Sequence, residues 1–196
     1  MRSHPGPPQS ANRAPVEPDG VATDGAQGIC LACALCCDGT IFRDVELSAD
    51  DDHAEFRSLR LPLPRNRGTI RLAQPCAALA GCWCQVYSTR PSRCREFDCG
   101  MLKAVQAGQL SAARAAGRIQ QARRLAERVR RQLRRLGDHR EHGDLKGRFR
   151  SVMRRLERAP ESADAAEFGE LTVMWQRLSR MLERWFHPGT GLPGAE

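Results

Sequence analysis

The stretch Cys30-Leu31-Ala32-Cys33-Ala34-Leu35-Cys36-Cys37 decides how this chain is read, because it sets four thiols in a C-x2-C-x2-C-C knot. Cys76, Cys82, Cys84, Cys94 and Cys99 follow before residue 100, and the rest of the chain has no cysteine. Thiolates close in sequence can converge on one ion without long loop closures, and a second, distant set closes the cage. C-x2-C places two thiolates about one tetrahedral edge apart, half of a four-thiolate zinc or iron site. Cys36 adds a third thiolate at the same spacing, which also suits three corners of an iron–sulfur cube. Cys36 and Cys37 are neighbours whose side chains diverge, so two arrangements stay open. Either eight thiols make two sites, or one cluster uses about four of them while the others pack or react.

The surroundings favour soft metals. His53 is the only histidine between residues 28 and 100, so an all-sulfur ligand set is expected, which suits zinc, iron or iron–sulfur and suits magnesium or calcium badly. Arg90, Arg93 and Arg95 bracket Cys94, and nearby guanidinium groups favour thiolate over thiol. The first residues lack an apolar h-region and no run is long enough to span a membrane. The reading is therefore a soluble, cytoplasmic protein with no membrane partner, where thiols stay reduced and clustered cysteines are more often metal ligands than disulfides.

Further out, residues 1–27 are rich in Pro, Gly and Ala and read as a disordered tail. Residues 28–100 form the cysteine module. Short strands are expected at 40–47, 68–72 and 83–87, with a helix from Ala49 to Leu59 started by Ser48 and Asp51. Arg90-Pro91-Ser92 reads as a turn into Cys94. From 101 to 187 the texture becomes helical and basic. Ile119, Ala122, Leu125, Val129, Leu133 and Leu136 lie on one stripe, with Gly137 as the stop. A second helix is expected over 145–158, with Phe149, Val152, Met153 and Leu156 inward. A third covers 163–186, its seam stepping through Phe168, Leu171, Trp175, Leu178, Leu182 and Trp185. Residues 188–196 read as a disordered C-terminus. The fold class expected is mostly α: a small irregular α+β cysteine-rich metal-binding module followed by a helical C-terminal region.

The knot, then Cys76-Ala-Ala-Leu79, then Cys84-Gln-Val-Tyr87-Ser-Thr-Arg90-Pro91-Ser-Arg-Cys94-Arg95-Glu-Phe97-Asp-Cys99, resembles the YkgJ-type cysteine-cluster family, described as zinc- or iron-chelating. The resemblance covers Cys30 to Cys99, a little over a third of the chain. It implies that Cys30, Cys33, Cys36, Cys37, Cys76, Cys84, Cys94 and Cys99 are the metal ligands, holding zinc or iron, with a 4Fe-4S cluster among the forms. It also implies that Arg90-Pro91 turns Cys84 and Cys94 toward the knot and that Tyr87 and Phe97 pack it. Cys82 falls outside the pattern. A similar pattern occurs in flagellin lysine-N-methylases, which makes an Fe–S-dependent, protein-lysine-modifying enzyme the alternative function.

Charge separates the two regions. Net charge is +8, yet residues 102–158 hold 17 Lys+Arg against 5 Asp+Glu. A nucleic-acid-binding module is the other alternative, set second because Phe149 is the sole aromatic among those arginines. A protein partner or self-association through the C-terminal helices ranks above it. The exposed loop reading of His139, Glu141, His142 and Asp144 outranks a second metal cluster there. No G-x-S-x-G, P-loop, G-x-G-x-x-G or H-E-x-x-H occurs, so hydrolytic and nucleotide chemistry find no support.

Overall fold

The computed structural model describes residues 26–66, 68–158 and 165–187. Residues 1–25 of the tail expected over 1–27, and the C-terminal segment 188–196, lie outside them. The three long helices follow the apolar stripes. Helix α5 (Ala112–Arg135) starts where the Ser111 hydroxyl accepts the Arg114 N–H at 3.3 Å. It stops at Leu136, after which Gly137 takes the left-handed conformation (φ 77°) that a side chain resists. Helices α6 (Leu145–Arg158) and α7 (Ala165–Trp185) pack against it. Leu171, Leu178, Leu182 and Trp185 of the α7 seam are buried in the core with Ile119, Val129 and Leu133 of α5 and Val152 and Leu156 of α6. Phe149 stacks on Trp175 with ring centroids 4.4 Å apart. The seam is thus filled from within the chain. Each fully buried Leu or Val contributes about 1.5–3 kcal/mol, so this face is the main source of stability.

The N-terminal part holds a surprise. Ala26–Cys33 is a helix, α1, which corrects the tail boundary drawn at residue 27. C-x2-C spacing reads as a turn, whereas here Cys30 and Cys33 sit one helical turn apart on the same element. Ala34, with φ 59°, ends the helix, and the N–H groups of Cys37 and Asp38 both donate to its carbonyl at 2.8 and 2.9 Å. Ile29 and Leu35 belong to the helical core, so the knot is rooted in the C-terminal bundle.

A second, smaller core gathers Leu47, Phe56, Leu61, Leu72, Ala78 and Val86. Over it lies a three-stranded antiparallel sheet of β1 (Asp44–Glu46), β3 (Thr69–Ala73) and β2 (Arg65–Asn66), in the order β1-β3-β2, with Val45 opposite Leu72. The strand expected over 40–47 is therefore only its last part. Helix α2 is shorter than expected, His53–Ser58, because Asp52 is the residue whose side chain caps it, accepting the Glu55 N–H at 2.8 Å. Strands β4 (Leu79–Ala80) and β5 (Trp83–Cys84) form a tiny hairpin that replaces the longer strand expected at 83–87. Two short helices went unforeseen, α3 (Ser92–Glu96) and α4 (Gly100–Gln106). Gly100 sits where α4 meets the end of α7. Its N–H donates to the Phe186 carbonyl at 3.2 Å, and an added Cβ would lie 3.1 Å from the Trp185 carbonyl oxygen.

Candidate metal centre

All nine cysteines are free thiols. Eight of them line two neighbouring cavities, whose linings share Cys30, Cys36 and Cys37. Cys30 and Cys33 project from α1. After the tight turn at Ala34, Cys36 and Cys37 both line the two cavities that flank the knot, as Cys30 does. The first set is Cys30, Cys33, Cys36 and Cys99. Cys33 and Cys99 pack against the helical core, and all four line a small cavity of about 50 Å³. Cys99 is placed by α4, whose start it caps, its sulfur accepting the Leu102 N–H at 3.4 Å.

The second set is Cys37, Cys76, Cys84 and Cys94. Cys76 and Cys84 pack against the smaller core, and all four line a cavity of about 430 Å³. The Cys76 N–H donates to the Cys37 carbonyl at 2.7 Å, which pins this loop to the knot. Cys84 lies on β5 opposite Leu79. Cys94 rides on α3, where its N–H donates to the Pro91 carbonyl at 2.9 Å. Asp51 anchors that helix by accepting the Ser92 N–H at 2.8 Å, the Ser92 hydroxyl at 2.6 Å and the Ser48 N–H at 2.8 Å. Exposed Cys30 sits at the seam and is electrostatically felt from both sides. Cys82, in the β4–β5 turn, lines the larger cavity.

Electrostatics tell the two sets apart. Burial pushes the Cys36 thiol well up, and the surrounding sulfurs of Cys33, Cys37, Cys99 and Cys30 push further. Cys37 is raised by burial too, but its sulfur neighbours are chiefly Cys76, Cys84 and Cys94. Cys33 and Cys94 are each pushed up to about 12, mainly by burial. Such thiols are protonated at neutral pH, and the negative charge of each thiolate has to be met by a cation.

Several donors are already aimed at the sulfurs. The Leu102 N–H donates to the Cys99 sulfur at 3.4 Å, and the nearby backbone N–H groups of Leu35, Ala78 and Val86 lower Cys33, Cys76 and Cys84 from what burial alone would impose. A backbone donor two or three residues on from a cysteine stabilises thiolate over thiol, and hydrogen bonds of this kind tune thiolate-bound metals. Arg90 lowers Cys84 and Cys94, and its Nε is buried without a hydrogen-bond partner. It lies 4.1 Å over the Tyr87 ring. The other two bracketing arginines turn elsewhere: Arg93 pairs with Glu96 at 3.6 Å, and Arg95 donates to the Arg90 carbonyl at 2.9 Å. Phe97 packs edge-on against Phe42, centroids 4.7 Å apart.

An all-sulfur donor set, buried and supplied with N–H donors, fits zinc, iron or an iron–sulfur cluster by its chemistry. Among the described residues no group of three or more His, Cys, Asp or Glu side chains is placed to hold a metal ion. His139, Glu141 and His142 are exposed in the α5–α6 loop, while the Asp144 carboxylate accepts the Gly147 N–H at 2.7 Å at the start of α6. Asp51 is the contributor that sequence reading missed. Its pairing with Ser48 had the look of a helix start, and only the fold reveals that it grips the Cys94 helix. Among the described residues no helix is long and apolar enough to cross a membrane. No family model, curated protein or solved structure matches the chain.

Proposed function

We propose that this chain is a metal-binding protein that holds zinc or iron, as single ions or iron–sulfur clusters, through two neighbouring four-cysteine centres. One centre uses Cys30, Cys33, Cys36 and Cys99, and the other uses Cys37, Cys76, Cys84 and Cys94. The observation that carries this reading is the partition of the outer cysteines: Cys33 and Cys99 line only the smaller cavity, Cys76, Cys84 and Cys94 only the larger, with Cys36 and Cys37 between them. The Leu102 N–H donating to the Cys99 sulfur supports it further. The YkgJ-type pattern of the sequence agrees with the same eight residues. A thiolate centre with four protein ligands has no open position for substrate, so the role is structural or redox. The metal joins an N-terminal module of small core to a helical bundle, where such a staple adds most.

Elemental analysis and a visible absorption scan of protein purified without air test this. Bound zinc or iron in stoichiometric amount is expected, zinc giving a colourless protein and an iron–sulfur centre a brown one. Protein that leaves the column free of both metals, and takes up neither on reconstitution, contradicts the reading.

A further inference from the structure

Helices α5 and α7 leave a furrow of about 800 Å³ between them, lined by no cysteine and by six arginines. Arg118, Arg124 and Arg128 line it from α5, and Arg177, Arg180 and Arg184 from α7. No carboxylate lines it among the described residues. Two other arginines of α5 are paired, Arg130 with Asp38 at 3.1 Å and Arg134 with Glu127 at 2.9 Å. Five of the six in the furrow are exposed. Like charges gathered along one furrow repel one another, and an anion bound there relieves that repulsion.

Two features shape what fits. Trp185 is buried at 9% exposure and forms part of the furrow wall, with the Arg118 guanidinium 3.6 Å and the Arg184 guanidinium 5.1 Å from its ring centroid. Those contacts hold two guanidinium groups in place and leave no free aromatic face for a base to stack on. From 118 to 128 the α5 row runs about 15 Å at 1.5 Å per residue. Packed helices lie about 8–10 Å apart, so a single extended strand can lie along the groove between the two rows and touch both, while a wider duplex can touch only the rim. Guanidinium forks match phosphate oxygens two bonds at a time. Uniform cation rows on both sides suit a polymer charged at every repeat better than a peptide with scattered carboxylates.

We propose that the α5–α7 furrow binds the phosphodiester backbone of single-stranded nucleic acid, without base preference. The interaction is held by phosphate contacts alone, so it weakens steeply with salt. The site contains no cysteine, so its fate and that of the metal centres are separately readable.

Fluorescence anisotropy of the full chain with a labelled 15-nucleotide oligo(dT), from 50 to 200 mM salt, tests it. Arg124→Glu/Arg180→Glu is expected to weaken binding at least tenfold and to flatten the log–log salt slope by about 0.7 for each phosphate contact removed. Arg124→Gln/Arg180→Gln, which adds no new charge to the fold, is expected to give a smaller loss in the same direction. Arg150→Glu/Arg154→Glu, the same charge change on exposed residues of α6, is expected to stay within about twofold. Equal losses in the α5–α7 and α6 reversals would overturn the proposal. So would an absence of binding at 50 mM salt, or tighter binding of a matched duplex, of polyglutamate or of inorganic polyphosphate per unit charge.

Discussion

Asp51 links three pieces of chain through one carboxylate, and the Cys94 helix is the piece that matters for chemistry. Burial by itself raises this group, yet the donors of Ser92 and Ser48 outweigh it and hold it below the ordinary carboxylate range. Asp51→Ala leaves those donors without their acceptor. We expect a loss of about 1–3 kcal/mol in a urea titration, together with weaker metal retention in the Cys94 centre by about 10–100-fold. Unchanged values in both measurements would show that α3 is held by something else. Asp138 poses the same question in the bundle. Its carboxylate receives the Arg148 Nε at 2.7 Å, with the two side chains 3% and 4% exposed. Burial raises Asp138, while Arg148 and Arg140 together bring it below its ordinary value. A carboxylate depressed on folding adds stability above its unfolded value of about 4, and that stability is lost as pH falls through the folded value. The midpoint of wild-type unfolding should therefore drop below about pH 4. Asp138→Asn should be less stable by about 3–5 kcal/mol at pH 7, with the gap narrowing in acid. A gap independent of pH would deny the ion pair its role.

Helix α5 is the element on which the two halves meet. Its inner face makes the core. One flank, through Arg123 and Arg130, hydrogen-bonds the knot, Arg123 Nη1 donating to the Ala32 carbonyl at 3.1 Å and Arg130 Nη2 to the Asp38 carbonyl at 3.0 Å and the Thr40 hydroxyl at 2.9 Å. Its other flank makes the furrow wall. Arg130→Ala is expected to lower stability by about 1.5–3 kcal/mol and to speed amide exchange at residues 34–41 while α5 stays protected. Uniform loss of protection along α5 would mean that the arginine supports the helix instead of the knot. The long helices were legible because an apolar residue every three or four positions has one cheap solution, a buried stripe. Leu125 and Phe149, read as inward, are in fact half-buried at the edges of the core. Helix α1 was not legible. Its eight residues include Gly28 and two cysteines, and a tight turn is the usual setting for C-x2-C, so local pattern argued against what tertiary packing of Ile29 and Leu35 imposes. The stubs β4 and α3 were hidden for a related reason: two- and five-residue elements follow from the contacts around them and carry no period of their own.

Across the whole molecule, two cores lie on either side of one knot, and each core presents its own cysteines. The eight ligand candidates were readable only through the resemblance to the YkgJ-type pattern. Spacing left open whether they serve one site or two, since Cys36 and Cys37 are adjacent and both line both cavities. A single shared centre would need both cysteines to look the same way. The most direct measurement is the metal content of Cys36→Ser and Cys37→Ser beside the unaltered protein, purified without air. Each substitution is expected to remove about half of the bound metal and the double substitution nearly all of it. Complete loss from either single substitution, or full retention in both, would contradict the division into two centres.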